Sequence, residues 1–521
     1  MAEIASDDKL LSGDTQCSFQ TGWFRPGQWT FTPTFGPQRK YRLVPDRHNT
    51  LSRATVPVHD GTEAHRALDL RDEQGRRLVA IPMTPTLWIG GTNEGGLEDL
   101  IFSVKFIHVF TVANLALMSV PLRAGSNDFE SWHGAPQESA EAVKRLERAG
   151  AHCVGCASMS QPTLCRGDGM MTPSSSSSGS ACNVASMDDV HVALTTDTDG
   201  STIGPAAYAG VYGFRPTPHS DLRNGMLVCN PLTDTPGIMA RDPYHLVRAG
   251  TALLGLGSPA NLESSGSSPP SVPKRLLVVW DQTETGMPGV TSMLRTVLDR
   301  FGEVLDVPVE SSTLVGEFGG NEDWLAMLAH KQIQLSRSAS YARFGRTFLD
   351  GFRTATGRSA QLTEEITEFW NEAEQESRVR SVADQVSELE RRRTGLKNRL
   401  NRNICQNGET IIAFSIRGGA QPWYRNPNVR FPLTDSLSSM WATRNQIPDP
   451  VRLAAICGAP VVVVPIGQTT HRSLVTHEEM QVPVSICMMT SSGHDGTLLR
   501  VVESLAESGD LRSVKTGSTA F

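Results

Sequence analysis

Residues 168–217 read DGMMTPSSSSSGSACNVASMDDVHVALTTDTDGSTIGPAAYAGVYGFRPT. A run of five serines, Ser174 to Ser178, leads into a stretch with helical character. An apolar segment then ends in the turn Thr198-Asp199-Gly200-Ser201, and a glycine-rich return follows. Ser177 and Ser201 stand 24 positions apart, each in a turn able to expose backbone N–H groups. A serine nucleophile with an oxyanion hole needs that combination. Gly200 lets the backbone turn sharply so that N–H groups converge, and each such donor is typically worth about 3–4 kcal/mol to a tetrahedral intermediate.

A serine hydroxyl needs a base. His191 and His219 are the nearest histidines, but neither lies in a turn suggesting a designed position, and no G-x-S-x-G elbow is present. The other candidate is a lysine held neutral by burial. Lys105 sits in LIFSVKFIHVF with apolar neighbours on both sides. Bringing a lysine from about 10.4 to about 7–8 costs about 4 kcal/mol, which the fold must absorb. Taken alone, Lys105 reads more readily as a strand-end lysine that snorkels outward. A relay between Lys105 and Ser201 needs a hydroxyl. The serine run supplies candidates, although five serines in a row also suit a flexible loop.

Outward from this block the chain alternates strands and helices. Leu100–Val104, the segment AHCVGCAS, Leu276–Trp280, Ala459–Ile466 and Val482–Met489 read as buried strands. Glu138–Ala149 carries a helical apolar stripe that Gly150 can stop, Asp323–Arg402 is mostly helical, and Thr497–Glu507 reads as a closing helix. The fold class is α/β: a large mixed, mostly parallel sheet covered by helices on both faces. Residues 1–90 form a small β-rich N-terminal region or arm, with WTFTPTF, YRLVP and RRLVAIPM as short strands; residues 91–521 form the main domain.

The chain has 521 residues, 39% hydrophobic and 20% charged, with a net charge of −7. That suits a globular protein, and the lack of a basic stripe argues against a nucleic-acid partner. The first residues show no basic start before an apolar core, and Ile101–Leu122 is interrupted by Lys105, His108 and Asn114. Neither a secretory signal nor a membrane span is expected. Nine scattered cysteines then read as reduced thiols in a cytoplasmic protein. Cys153 and Cys156, with Cys165 nearby, lack a second pair at zinc spacing and read as core residues.

These motifs resemble the amidase signature family, whose block has the form GGSSGGS, TDTGGSIRIPA and G.KPT. Here it reads SSSSGSA at 175–181, TDTDGSTIGPAA at 196–207 and GVYGFRPT at 210–217. SVK matches the family's VKD strand end, AEAVKRLERAGAHCVGCASM its helix-then-strand segment, and RLAAICGAPVVVVPIG and DGTLLRVVESL its C-terminal pattern. The match covers roughly 97–250 and 445–507, with a variable helical part at about 310–445. The N-terminal region is similar to those of some fungal amidase-like proteins; it would cover the acyl site or form a homodimer contact.

The resemblance implies a Ser–cisSer–Lys triad. Ser201 would be the nucleophile, Ser177 on a cis peptide the proton shuttle, and Lys105 the base. Thr198, Asp199, Gly200 and Ser201 would line the oxyanion hole, with Ser178 and Asp197 in support. No metal or organic cofactor is implied; the partner would be a small-molecule amide or acyl substrate. The implied activity is serine-dependent amide hydrolysis, with acyl transfer from the same acyl-enzyme and a catalytically weak binding scaffold as alternatives. The chain departs from the family at several places: Asp199 replaces a glycine, and Phe106 an aspartate. Ile203 replaces the arginine that would pair with Asp197, so that ion pair is expected to be lost. Trp324, Phe344, Phe348, Phe352, Trp370, Trp423 and Tyr424 could line a pocket in the helical part, or fill its core.

Overall fold

In this computed structural model the described residues are 17–18, 29–33, 41–58, 63–83, 96–105, 114–122, 126–158, 171, 175–255, 272–280, 283, 288–318, 322–362, 364–416 and 450–521. Phe106, Cys165, Trp423 and Tyr424 lie outside them.

The body is a twelve-stranded sheet with helices packed against it. From one edge its strands run Val309–Ser312, Arg275–Val279, Thr410–Phe414, Glu479–Met489, Val461–Arg472, Tyr212–Arg215, Thr235–Ala240, Val192–Asp197, Ile101–Lys105, His152–Ala157, Leu51–Pro57 and His65–Leu68. The expected mixed α/β sheet is therefore present, but it is not mostly parallel. Arg275–Val279 lies parallel to both of its neighbours, and Ile101–Lys105 to both of its own. The remaining neighbours are antiparallel. The reason is connectivity. The turn at 473–478 joins Val461–Arg472 to Glu479–Met489 as a hairpin, and so short a link cannot carry the crossover that a parallel pair requires. An apolar run shows that a strand is buried on both faces but not which way it points.

Every residue of Ile101–Lys105, His152–Ala157 and Val192–Asp197 is buried. These three adjacent strands form the platform for the site. Cys153 and Cys156 face the core, where burial pushes the Cys156 thiol up to about 12. The helix Glu141–Arg148 precedes His152–Ala157, and Gly150 takes the left-handed φ of 104° needed to reverse the chain between them.

The N-terminal strands divide between two places. Cys17–Ser18, Trp29–Pro33, Tyr41–Pro45 and Leu78–Pro82 make a four-stranded sheet, while Leu51–Pro57 and His65–Leu68 extend the main sheet. Val79 and Ile81 pack in one cluster with Ile101 and Val154, so this region shares core with the main body. The middle of the chain is helical as expected, with Glu322–Ser340, Arg346–Thr356, Glu364–Val379 and Val382–Asn398 as its long helices. Phe348, Phe352 and Trp370 are buried among them as core. No helix among the described residues is long and apolar enough to cross a membrane.

Candidate active site

Lys105 closes its strand with a side chain only 1% exposed. Burial pushes its amine down to about 7, although Asp197, Asp234 and Cys229 nearby oppose the shift. The lysine does not snorkel. Its Nζ donates to the Thr196 carbonyl at 2.9 Å and lies 2.8 Å from Ser176 Oγ. Ser176 Oγ is in turn 2.8 Å from Ser201 Oγ. An unbroken chain of hydrogen bonds thus runs from a buried amine to the serine of the turn.

The hydroxyl in the middle belongs to Ser176. Ser177, the residue the family pattern selects, points its Oγ at the Thr196 carbonyl, 3.3 Å away. None of the peptide bonds among the described residues is cis. With the run in a trans turn, the helix Ser178–Ser186 begins directly after Ser177, and the preceding residue's side chain spans the gap. Ser178 donates its hydroxyl to the Ser175 carbonyl.

Asp197 organises the turn. Its Oδ1 accepts the Gly200 N–H at 2.8 Å, and its Oδ2 accepts the Thr202 N–H at 2.7 Å. The expected loss of its ion pair does not occur. Arg215 Nε lies 3.0 Å from Asp197 Oδ1, and both side chains are fully buried. Arg215 also donates to the carbonyls of Ala459 and Thr233, each at 2.9 Å. The arginine absent from position 203 has thus been replaced, in three dimensions, by one from the nearby strand Tyr212–Arg215. Because Asp197 holds the Gly200 N–H, that group does not face an acyl oxygen, contrary to the expectation for Gly200. Gly200 itself is demanded by geometry: its φ is 101°, and a Cβ there would stand 2.5 Å from Val451 Cγ1.

Asp199 is charge-compensated. Its Oδ2 lies 3.1 Å from Arg452 Nε, and its Oδ1 accepts from Gln332 Nε2 at 3.3 Å. Gln332 Nε2 also lies 3.3 Å from the Thr198 carbonyl. On the lysine side, Asp234 accepts the N–H groups of Cys229 and Asn230 at 2.6 and 2.9 Å. Burial nevertheless lifts its carboxyl to about 6.

The histidines are elsewhere. His191 precedes the strand Val192–Asp197, whereas Ser201 follows it, so about 20 Å of extended chain separates them. His191 Nδ1 accepts the Ile101 N–H, and burial with His245 nearby pushes its ring down to about 4. His219 is largely exposed.

Of the expected site residues, Lys105, Ser201, Thr198, Asp199, Gly200 and Asp197 are brought together. Ser177 is one position out of line. Ser176 was one of the run's candidates but was not singled out, and Arg215, Arg452, Gln332 and Asp234 were not anticipated. Ser176 and Arg215 lie inside the decisive block, where a count of available hydroxyls and buried cations could have raised them. Arg452 and Gln332 carry no local signal at all.

A two-serine, one-lysine chain beside a glycine turn, on a mixed α/β sheet, is close to what the resemblance to amidase signature proteins implied. The chain matches the family model described as Amidase over residues 113–255. It is 38% identical over 165 residues to a glutamyl-tRNA(Gln) amidotransferase component of Anaeromyxobacter sp. (strain K), covering 29% of this chain and 32% of that protein. It is 30% identical over 193 residues to Amidase 1 of Arabidopsis thaliana, covering 34% of this chain and 43% of that one. The chain therefore aligns with less than half the length of either relative. Peptide amidase from Stenotrophomonas maltophilia shares the fold at TM-score 0.53 and 21% identity, over 80% of this chain and 84% of that one.

Proposed function

We propose that this protein is a serine-dependent amidase that cleaves an amide or related acyl bond of a small molecule through an acyl-enzyme. The observation that carries the reading is the chain Lys105 Nζ–Ser176 Oγ–Ser201 Oγ, with both links at 2.8 Å. With Lys105 neutral, its lone pair accepts from the Ser176 hydroxyl, which accepts from Ser201. Ser201 Oγ attacks the acyl carbon. Its proton passes to Ser176 as the Ser176 proton passes to Lys105. The C–N bond breaks, and the leaving amine takes the proton back along the same path. Water then attacks the Ser201 ester by the same relay and releases the acid. The N–H groups of Thr198, Asp199 and Ser201 are the candidates to hold the oxyanion.

A silent scaffold is the weaker reading. It rested on Asp199 and Ile203, and each has a compensating arginine, Arg452 and Arg215 respectively. The test is intact mass after incubation with a fluorophosphonate. Wild type is expected to gain a single adduct at Ser201, and Ser201→Ala none. Lys105→Ala, properly folded, is expected to label about 10⁴-fold more slowly. A folded wild-type protein that takes no adduct would overturn the proposal.

A further inference from the structure

Two buried arginines touch the nucleophile turn, and they are used differently. Arg215 spends its guanidinium on structure, binding Asp197 and two backbone carbonyls. Arg452 makes one polar contact among the described residues, to the carboxylate of Asp199. Its side chain is 6% exposed, and its Nη2 has no hydrogen-bond partner among the described residues. A buried guanidinium with spare donors is a poor staple; it is a charge. Its placement is fixed by its neighbour, because Val451 covers Gly200 while Arg452 meets Asp199. The start of the helix Pro450–Cys457 is thus seated on consecutive residues of the turn. Gln332 reaches the same carboxylate from the helix Glu322–Ser340 but brings no charge.

We infer that Arg452 is a positioning residue for catalysis, neutralising the Asp199 carboxylate so that the turn around Ser201 can accept negative charge. Asp199 lies two residues before the nucleophile. A bare carboxylate there opposes an oxyanion developing on the acyl group, and low-dielectric surroundings strengthen the opposition. With Arg452 in contact the local charge is cancelled, and the turn works as a neutral glycine would allow. The inference rests on the acyl-enzyme reading of Ser201.

The test is the rate of fluorophosphonate labelling of Ser201 in a double-mutant cycle, with thermal melts to establish folding. Arg452→Met is expected to slow labelling at least tenfold in the otherwise wild-type protein, and Arg452→Lys to restore most of the loss. Asp199→Asn is expected to label faster than wild type. In the Asp199→Asn background, Arg452→Met is expected to cost less than threefold, because there is no carboxylate left to cancel. An equal slowing by Arg452→Met in both backgrounds would make Arg452 merely structural and overturn the inference. So would no slowing in either. If wild type takes no label at all, the acyl-enzyme reading itself has failed, which is a distinguishable result.

Discussion

The two halves of the site are built by opposite means. In the turn from Asp197 to Thr202 the anchoring groups have dedicated partners: both Asp197 oxygens are engaged, Arg215 is spent on three acceptors, and Thr202 Oγ1 meets Thr195 Oγ1 at 2.8 Å. In the serine run, chemically identical side chains have unrelated fates. Ser176 joins Lys105 to Ser201, Ser177 caps a carbonyl, Ser178 bonds back to Ser175, and Ser175 Oγ has no partner among the described residues. The turn is specified by residue identity; the run is specified by backbone conformation alone. A change of chemistry at Asp197 or its partner Arg215 should therefore damage the turn, whereas among Ser175–Ser178 only one position should matter.

The largest effect expected from that contrast lies within the run. Ser176→Ala removes the relay and is expected to lower the labelling rate of Ser201 by about 10²–10⁴-fold, the usual worth of a positioned proton-transfer group. Ser177→Ala, which loses one 3.3 Å bond to a carbonyl, is expected to stay within about tenfold of wild type. The opposite ranking would move the relay to Ser177, the register that the family pattern implies.

The turn is tested through its anchor. Arg215→Met leaves the Asp197 carboxylate buried without its cation, and breaking a buried pair in this way costs about 3–5 kcal/mol. The expected readout is a lower midpoint in chemical denaturation together with slower labelling, because Asp197 orients the Gly200 and Thr202 N–H groups. A variant with normal stability and normal labelling would show that the turn holds its shape without the ion pair.

The same contrast explains what could be read from the sequence. Lys105 at the end of an apolar strand and Ser201 beyond a second one were legible through the family resemblance, and the two strands prove to be parallel neighbours. The glycine turn was legible because few residues tolerate its backbone angle. Ser176 was not, because nothing in five consecutive serines distinguishes one hydroxyl from the next until the backbone is fixed. Arg215 sits in the decisive block, but its pairing with Asp197 depends on where the strand Tyr212–Arg215 enters the sheet. Arg452 comes from the far end of the chain, and only tertiary structure brings it to Asp199. Strand direction was misjudged for a similar reason: side-chain burial reports the faces of a sheet and is silent on its connectivity.

The smallest expected effect concerns the pH dependence of the shared lysine. Lys105 is held at about 7, and only its neutral form can take the relayed proton. Labelling should rise roughly tenfold per pH unit below about 7 and level off above it. Stability has the matching sign. The folded amine is depressed from 10.5, so between about 7 and 10.5 the unfolded chain binds the extra proton, and stability rises with pH across that window. Lys105→Met lacks this dependence, so comparing pH–stability curves of the two proteins isolates it. Asp234 refines the measurement. Its charge raises the Lys105 value, so Asp234→Asn should move the labelling limb to lower pH. A limb unmoved by Asp234→Asn and still present in Lys105→Met would assign the titration to another group.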